Sequence, residues 1–329
     1  MPVKIKDIAR ICGVSAGTVD RAINNRPGIN ENTKKRILKV AKELNYRPNY
    51  TAQSLVKGKT STLGVILFDL HNRSFAQLMN AIELKARENG YFVYITLTDK
   101  DPNNEKQCIE YLVERNVDGI ILFSVNRGNE FEDYLKSFDI PIITVFNKIS
   151  ENWDYVGIRE RQAMKDAVTH LVNKGYERFI YVSPPLMYMG KTNIYTQEER
   201  LYGFIEGLKS FNIQEEPIII KEKNYIDILK EWNFQSEYKT AVVCSCDLYA
   251  LEVLQLLKEK GVNVPGNVGV MGFDNIDVLK YVTPRLTTVE YPIEQIGSDA
   301  VESLISKIEH DHFLNIPLLD YKIILGESI

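Results

Sequence analysis

The side chains best suited to holding an anion lie in the first 60 residues. Ser15, Thr18 and Arg21 offer two hydroxyls and a guanidinium in one short stretch, with Ala16, Gly17 and Asp20 between them. Hydroxyls bond phosphate oxygens, and a guanidinium suits the paired acceptors of guanine. Residues 1–60 carry 13 Lys and Arg against 4 Asp and Glu, a net +9, which leaves −13 for the rest. A basic module on an acidic body predicts an anionic partner for the first part. A second set is spread along the body: Asn72, Phe75, Asn126, Asn147, Arg200, Tyr225, Cys246, Asp247 and Asp274. Carboxylates accept from hydroxyls and Arg donates to them, so an Arg–Asp set beside aromatic rings suits a polyhydroxylated ligand.

Other chemistries lack their residues. The chain has no G-x-G-x-x-G, G-x-x-x-x-G-K-[ST], G-x-S-x-G or H-E-x-x-H, which argues against an enzyme. His71 has no partner cluster for a metal, and no cofactor is expected. Cys12, Cys108, Cys244 and Cys246 show no metal or redox spacing, which fits a reducing cytosol. No apolar run is long enough for a bilayer, and residues 1–6 contain no apolar core of a secretory signal.

These residues need elements to position them. Ile5, Ile8, Ala9 and Cys12 repeat at helical spacing, and Gly13 can take the positive φ of a tight turn. Ser15 can cap a second helix from Ala16 to about Asn24, with Val19, Ala22 and Ile23 inward. Asn30 can cap a third, from Glu31 to about Asn45. Helix, glycine turn, helix and supporting helix make a helix-turn-helix, whose second helix enters the major groove. A protein-binding three-helix bundle is the alternative; the charge and the small polar outer face of the second helix favour DNA. Pro48 stops the third helix, and Asn49 can cap a short one before Gly58. That helix is too short to be stable alone. Its Leu55 either wedges into a minor groove or touches the body.

These residues carry a resemblance. The runs Ile5-Lys-Asp-Ile-Ala-Arg10, Cys12-Gly-Val-Ser15, Thr18-Val-Asp-Arg21, Tyr46-Arg-Pro-Asn49 and Ala52-Gln-Ser-Leu55 are similar to the head and hinge of the LacI/GalR family. The family pattern has Ser where this chain has Asp20, which puts a carboxylate where a hydroxyl often meets phosphate. Asp20 can instead pair locally or accept from a cytosine amine. Ala16 and Gly17 cannot hydrogen-bond through side chains, which leaves base reading largely to Arg21. The expected DNA-binding set is Ser15, Ala16, Gly17, Thr18, Asp20, Arg21, Asn24, Asn30, Tyr46, Asn49 and Leu55.

Beyond residue 60, strand-length apolar runs at 63–68, 92–97, 119–123, 141–146, 179–182, 217–220, 241–244 and 268–272 alternate with helical stretches at 75–89, 103–115, 162–174, 197–211 and 249–260. Continuous apolar strands alternating with helices predict parallel sheets covered on both faces, here two doubly wound lobes. In such sheets ligands bind beyond the C-terminal strand ends. The stretches Arg200-Leu-Tyr-Gly-Phe204, Met271-Gly-Phe-Asp-Asn275 and Pro284-Arg-Leu-Thr-Thr288 resemble the periplasmic-binding-protein-like sensor half of the same family.

The resemblance implies a head over 1–48, a hinge helix and linker over 49–60, and a two-lobed effector-binding and dimerisation body over 61–329. Lobe 1 would take about 61–160 and 292–316, and lobe 2 about 161–291 and 317–329. It implies a homodimeric regulator, a repressor, gated by a small molecule such as a sugar, with Arg200 and Asp274 clamping effector hydroxyls. A protein or nucleobase corepressor is the alternative gate. A solute-binding protein for transport fits the body but not the basic head. Several residues have plainer alternatives: Asp274 can cap a turn, Arg200 can pair with Glu198 or Glu199 at the surface, and Phe75 can be core. The pattern's Asn-Asp pair is Cys246-Asp247 here, which removes an amide. Cys244 and Cys246 are read as alternating along one strand.

Overall fold

The computed structural model describes residues 3–46, 58–186, 194–211, 213, 215–234 and 237–329. Asn49, Leu55 and most of the expected hinge helix lie outside them. Two units are compact by their internal contacts, Met1–Thr60 and Ser61–Ile329.

The first unit is a three-helix head: α1 (Ile5–Cys12), α2 (Ala16–Ile23) and α3 (Glu31–Glu43). Gly13 ends α1 at φ 61°, a left-handed conformation that glycine adopts at no steric cost. Ser15 caps α2 by accepting from Thr18 N, and Asn30 caps α3 by accepting from Asn32 N. Ile8, Ala9, Cys12, Val19, Ala22, Ile37 and Ala41 form the core. Arg36 Nη2 donates to Cys12 O at 2.9 Å, tying α3 to the turn after α1.

The second unit holds two sheets. The first takes β1 (Thr62–Leu67), β2 (Phe92–Leu97), β3 (Gly119–Leu122), β4 (Ile142–Val145) and β5 (Tyr155–Val156) in the order β2-β1-β3-β4-β5, all parallel. Helices α4 (Arg73–Glu88), α5 (Pro102–Glu114) and α6 (Asn129–Lys136) connect them. After α7 (Glu160–Asn173) come β6 (Arg178–Val182), α8 (Tyr195–Lys209), β7 (Ile218–Ile220), α9 (Tyr225–Lys230), β8 (Thr240–Cys244), α10 (Asp247–Glu259) and β9 (Val268–Asp274). Then follow β10 (Thr287–Glu290), α11 (Ile293–His310) and β11 (Lys322–Ile324). The second sheet runs β11-β10-β9-β8-β6-β7, and only the β10–β11 pair is antiparallel. The expected fold class, a helical head with two parallel-sheet lobes, is what forms.

Both faces of each sheet are covered along the inner strands, whereas the edge strand β2 stays largely exposed. Leu63, Val65 and Leu67 point into one core and Ile66 into another; Ala241 and Val243 divide from Val242 and Cys244 in the same way. That explains strands apolar at every position rather than at alternate ones. Helix α11 packs along α4 and against β3 and β4, so the chain returns to the first sheet after β10. Helix α8 lies close along α7, and a Cβ at Gly203 would overlap Arg161 O. No helix among the described residues is long and apolar enough to cross a membrane.

Candidate functional site

In the head, α2 presents Ser15, Ala16, Gly17 and Arg21 as exposed residues. Ser15 Oγ and Thr18 Oγ1 lie 2.9 Å apart, so the two hydroxyls share a bond at the N-terminus of the helix. Asn24 caps its other end and donates to Asp20. Asn30 is committed to the start of α3. Tyr46 packs on the head core; burial, and then the Asp20 charge, raise its phenol above the usual range. Asp20 takes the local option among those open to it, pairing with Arg26 at 3.2 Å.

In the body, a cavity of about 220 Å³ opens at the C-terminal ends of the strands, where both sheets contribute walls. Phe68, Phe75, Phe123 and Phe146 form one side. Phe68 stacks on Phe123 with centroids 4.1 Å apart, and Phe75 stands edge-on to both. Tyr249, Tyr291, Cys246, Arg200 and Asp274 face them, and Asn72, Asp69, His71 and Lys100 edge the wall.

Arg200 is the centre of the polar side. It is 3% exposed. Its Nε donates to Glu160 Oε2 at 2.7 Å, and its Nη1 to Ser245 O at 2.6 Å and Asp274 Oδ1 at 3.3 Å. The guanidinium lies 3.7 Å from the Phe273 ring centroid, a cation–π contact. Tyr291 Oη donates to Asp274 Oδ1 at 2.9 Å. Burial alone would lower the Arg200 guanidinium, but the Glu160 and Asp274 charges outweigh it and hold the group well above its ordinary range. Burial likewise keeps Glu160 and Asp274 above the usual carboxylate range despite the guanidinium. Asp247 is pushed up to about 7 by burial and then by the Asp274 charge. The cation is thus permanent, while the carboxylates around it hold protons more readily than usual. Asp274 sits at φ 120°, a strained conformation for a residue with a Cβ, of the kind that concentrates at ligand sites.

Five sequence-expected residues meet at this wall: Asn72, Phe75, Arg200, Cys246 and Asp274. Asn72 also caps α4, accepting from Ser74 N at 3.1 Å. Arg200 is buried among carboxylates, which replaces the surface pairing with Glu198 or Glu199. Four expected residues do not line the cavity. Asn126 turns its amide to Pro102 O and Glu105 Oε2. Asn147 donates to Ser124 O and accepts from Thr196 N, joining the two sides of the cleft behind the wall. Tyr225 is buried, bonds Glu252 and stands edge-on to Tyr249, which it supports. Asp247 accepts from Thr288 Oγ1 at 2.6 Å and Ile276 N at 2.9 Å, and a Cβ at Gly272 would overlap it. Cys246 lies beyond the end of β8, at the residue before α10 and without a side-chain capping bond, so it does not alternate with Cys244 along a strand. Burial pushes both thiols up, which leaves them unreactive.

Sequence reasoning passed over Glu160, Tyr249, Tyr291, Phe123 and Phe146. Tyr291 follows a strand that the apolar pattern does not reveal. Phe123 and Phe146 end runs that read only as core. Among the described residues, two ion pairs also cross the cleft. Arg73 and Asp277 form a two-point pair at 3.0 and 2.6 Å, and Arg127 meets Glu198 at 2.6 Å.

Comparison with known proteins places this geometry. A model of bacterial regulatory proteins of the lacI family matches residues 4–49, and a periplasmic binding protein-like domain matches residues 168–329. The HTH-type transcriptional regulator RegA of Clostridium acetobutylicum is 33% identical over 350 residues, covering 100% of this chain and 99% of its own. The HTH-type transcriptional repressor PurR of Aliivibrio salmonicida is 29% identical over 315 residues, covering 94% and 93%. Among solved structures, the lac repressor dimer bound to operator and the anti-inducer ONPF superposes with a TM-score of 0.86 at 21% identity, covering 100% and 99%. Those relatives are regulators of transcription rather than enzymes.

Proposed function

Because the chain belongs to the LacI family of bacterial DNA-binding transcription regulators, we propose that its cavity holds a neutral sugar or sugar derivative that gates operator binding by a homodimer. The chemistry around Arg200 carries this reading. Its guanidinium is already shared by Glu160, Asp274 and the Ser245 carbonyl. It has little unbalanced charge to offer an anionic ligand, and Asp274 beside it would repel one. A neutral polyol accepts from Arg200, donates to Asp274 and lays its apolar face on the phenylalanine wall. The volume of about 220 Å³ suits a ligand of monosaccharide size.

A purine is the second reading. A relative carries the name PurR, and a base would stack on Phe75 or Tyr249. A panel of neutral monosaccharides, sugar acids and purine bases, read by thermal shift and calorimetry on the full chain, separates them. Binding of a sugar acid or a purine base in preference to every neutral sugar would overturn the proposal.

Gating requires that the ligand bind two arrangements of the lobes with different affinity. The cross-cleft pairs Arg73–Asp277 and Arg127–Glu198 belong to one arrangement and would break in another. For the homodimer, support comes from β2. This edge strand exposes Phe92, Tyr94, Ile95 and Leu97 together, Phe92 at 72%. An apolar edge of that kind calls for a covering partner. Selection of genomic fragments bound by the full chain, at two salt concentrations, tests operator binding by a homodimer. One near-palindromic motif is the expected result; uniform loss of binding with salt and no motif would contradict it.

A further inference from the structure

The substitution of a carboxylate into the recognition helix has a structural partner. Asp20 is one turn from Gly17 and Asn24 and next to Arg21, on the side of α2 that carries those residues. A bare carboxylate there would repel phosphate. Both of its oxygens are engaged inside the head: Asn24 Nδ2 donates to Oδ1 at 2.8 Å, and Arg26 Nη1 lies 3.2 Å from Oδ2. Arg26 is held at its backbone too, where its N–H donates to Arg21 O at 2.9 Å after the left-handed Asn25 (φ 52°). Its side chain stays 48% exposed. A guanidinium has five N–H donors, so donors remain beyond the one facing Asp20.

A surface ion pair of this exposure adds little to folding. What it does fix is direction. A free arginine side chain loses rotamer entropy on being held, and the pairing with Asp20 biases the Arg26 side chain toward one direction before DNA arrives. Arg26 follows the C-terminal end of α2. The N-terminal residues of a recognition helix meet base edges, so this end lies toward the groove margin, where the phosphates run.

We propose that Asp20 and Arg26 act as one unit, in which Asp20 is a positioning residue and Arg26 a phosphate contact of the DNA-bound head. The carboxylate neutralises its own cost by presenting a cation that neither Ala16 nor Gly17 can supply.

The test measures binding of the full chain to a fluorescein-labelled 40-base-pair duplex of random sequence, by anisotropy, across a potassium chloride series. Arg26→Ala should lower the slope of log affinity against log salt by about 1. Asp20→Ala should lower it too, and the double variant should lose no more than Arg26→Ala alone. Asp20→Glu, which keeps the charge, should retain the slope, whereas Asp20→Asn should not. Thermal midpoints of all variants should match, since the pair is exposed; a fall in Asp20→Ala alone leaves the Glu and Asn comparison to decide. Tighter binding by Asp20→Ala, additive losses, or an unchanged slope in Arg26→Ala would each overturn the proposal. A wild-type chain without salt-dependent duplex binding would refute DNA recognition by the head itself.

Discussion

Glu105 offers the sharpest quantitative test of the body. It lies in the first turn of α5, fully buried. Its Oε2 accepts from Val125 N, Asn126 N and Asn126 Nδ2 at 3.0, 2.8 and 2.7 Å, and its Oε1 from Ser124 Oγ at 2.7 Å. It therefore staples the loop that follows β3 and Phe123, beneath the aromatic wall. Four donors favour the charged form, yet burial outweighs them and raises the carboxyl from about 4.5 to about 7. The neutral acid also fits: protonated at Oε1 it donates to Ser124 Oγ, which donates on to Asn126 O at 2.7 Å. Below about 4.5 both the native and the unfolded chain hold the proton. Between 4.5 and 7 only the native chain holds it, so stability falls as pH rises across that window. At about 1.4 kcal/mol per pH unit for one proton, the loss reaches about 3 kcal/mol. Glu105→Gln keeps the shape, turns its amide nitrogen to Ser124, and cannot titrate. Urea unfolding at pH 5, 6, 7 and 8 should show wild type losing ground to the variant as pH rises, by about 2.5 kcal/mol between the first point and the last, since the rest of the loss falls below pH 5. A difference independent of pH, or one that favours wild type at higher pH, would mean that the four hydrogen bonds outweigh burial, and the reasoning would fail.

Further expectations concern other parts of the molecule. Arg200→Met leaves Glu160 and Asp274 buried without their cation; thermal or urea unfolding should show a loss of about 3–5 kcal/mol, and a loss under 1 kcal/mol would contradict the cluster's role. Tyr94→Lys puts a charge into the exposed β2 edge, so sedimentation velocity should show dimer shifting to monomer with the thermal midpoint of the monomer unchanged. Arg21→Ala should flatten the sequence motif selected from a random library while reducing affinity for non-specific DNA little; the reverse pattern would make Arg21 a phosphate contact.

The sequence reveals some elements better than others, for physical reasons. The head was legible because its caps are local. Ser15, Asn30 and Gly13 act within a few residues of themselves, and each does so here. The inner apolar strands were legible because burial on both faces leaves no polar position to blur them, though most shifted by a residue or two; β2 matched at both ends although it is an exposed edge, on its run of β-branched and aromatic residues. The strands β5, β10 and β11, of 2 to 4 residues, were not. Thr287-Thr288 in β10 is polar, and only its pairing with β9 makes it a strand. The site shows the same division. Arg200 and Asp274 stood out by type and position, but Glu160 lies 40 residues from Arg200, and nothing local in a helix's first turn announces a buried ion pair. Glu105 is hidden in the same way, since an acid in the first turn of a helix ordinarily faces water and stabilises the dipole. Only the order of the sheet puts it under the β3 loop.

The aromatic wall of the cavity is built from phenylalanine and tyrosine, and both of the chain's tryptophans are elsewhere: Trp153 packs on the outer core of the first sheet and Trp232 on that of the second. The cleft is therefore dark to the usual intrinsic emission measurement, and a ligand that fills it without moving the lobes would leave tryptophan fluorescence unchanged. Placing an indole at Tyr249 would turn the wall into its own optical reporter, with a sugar or base stacked on the ring quenching or shifting its emission directly.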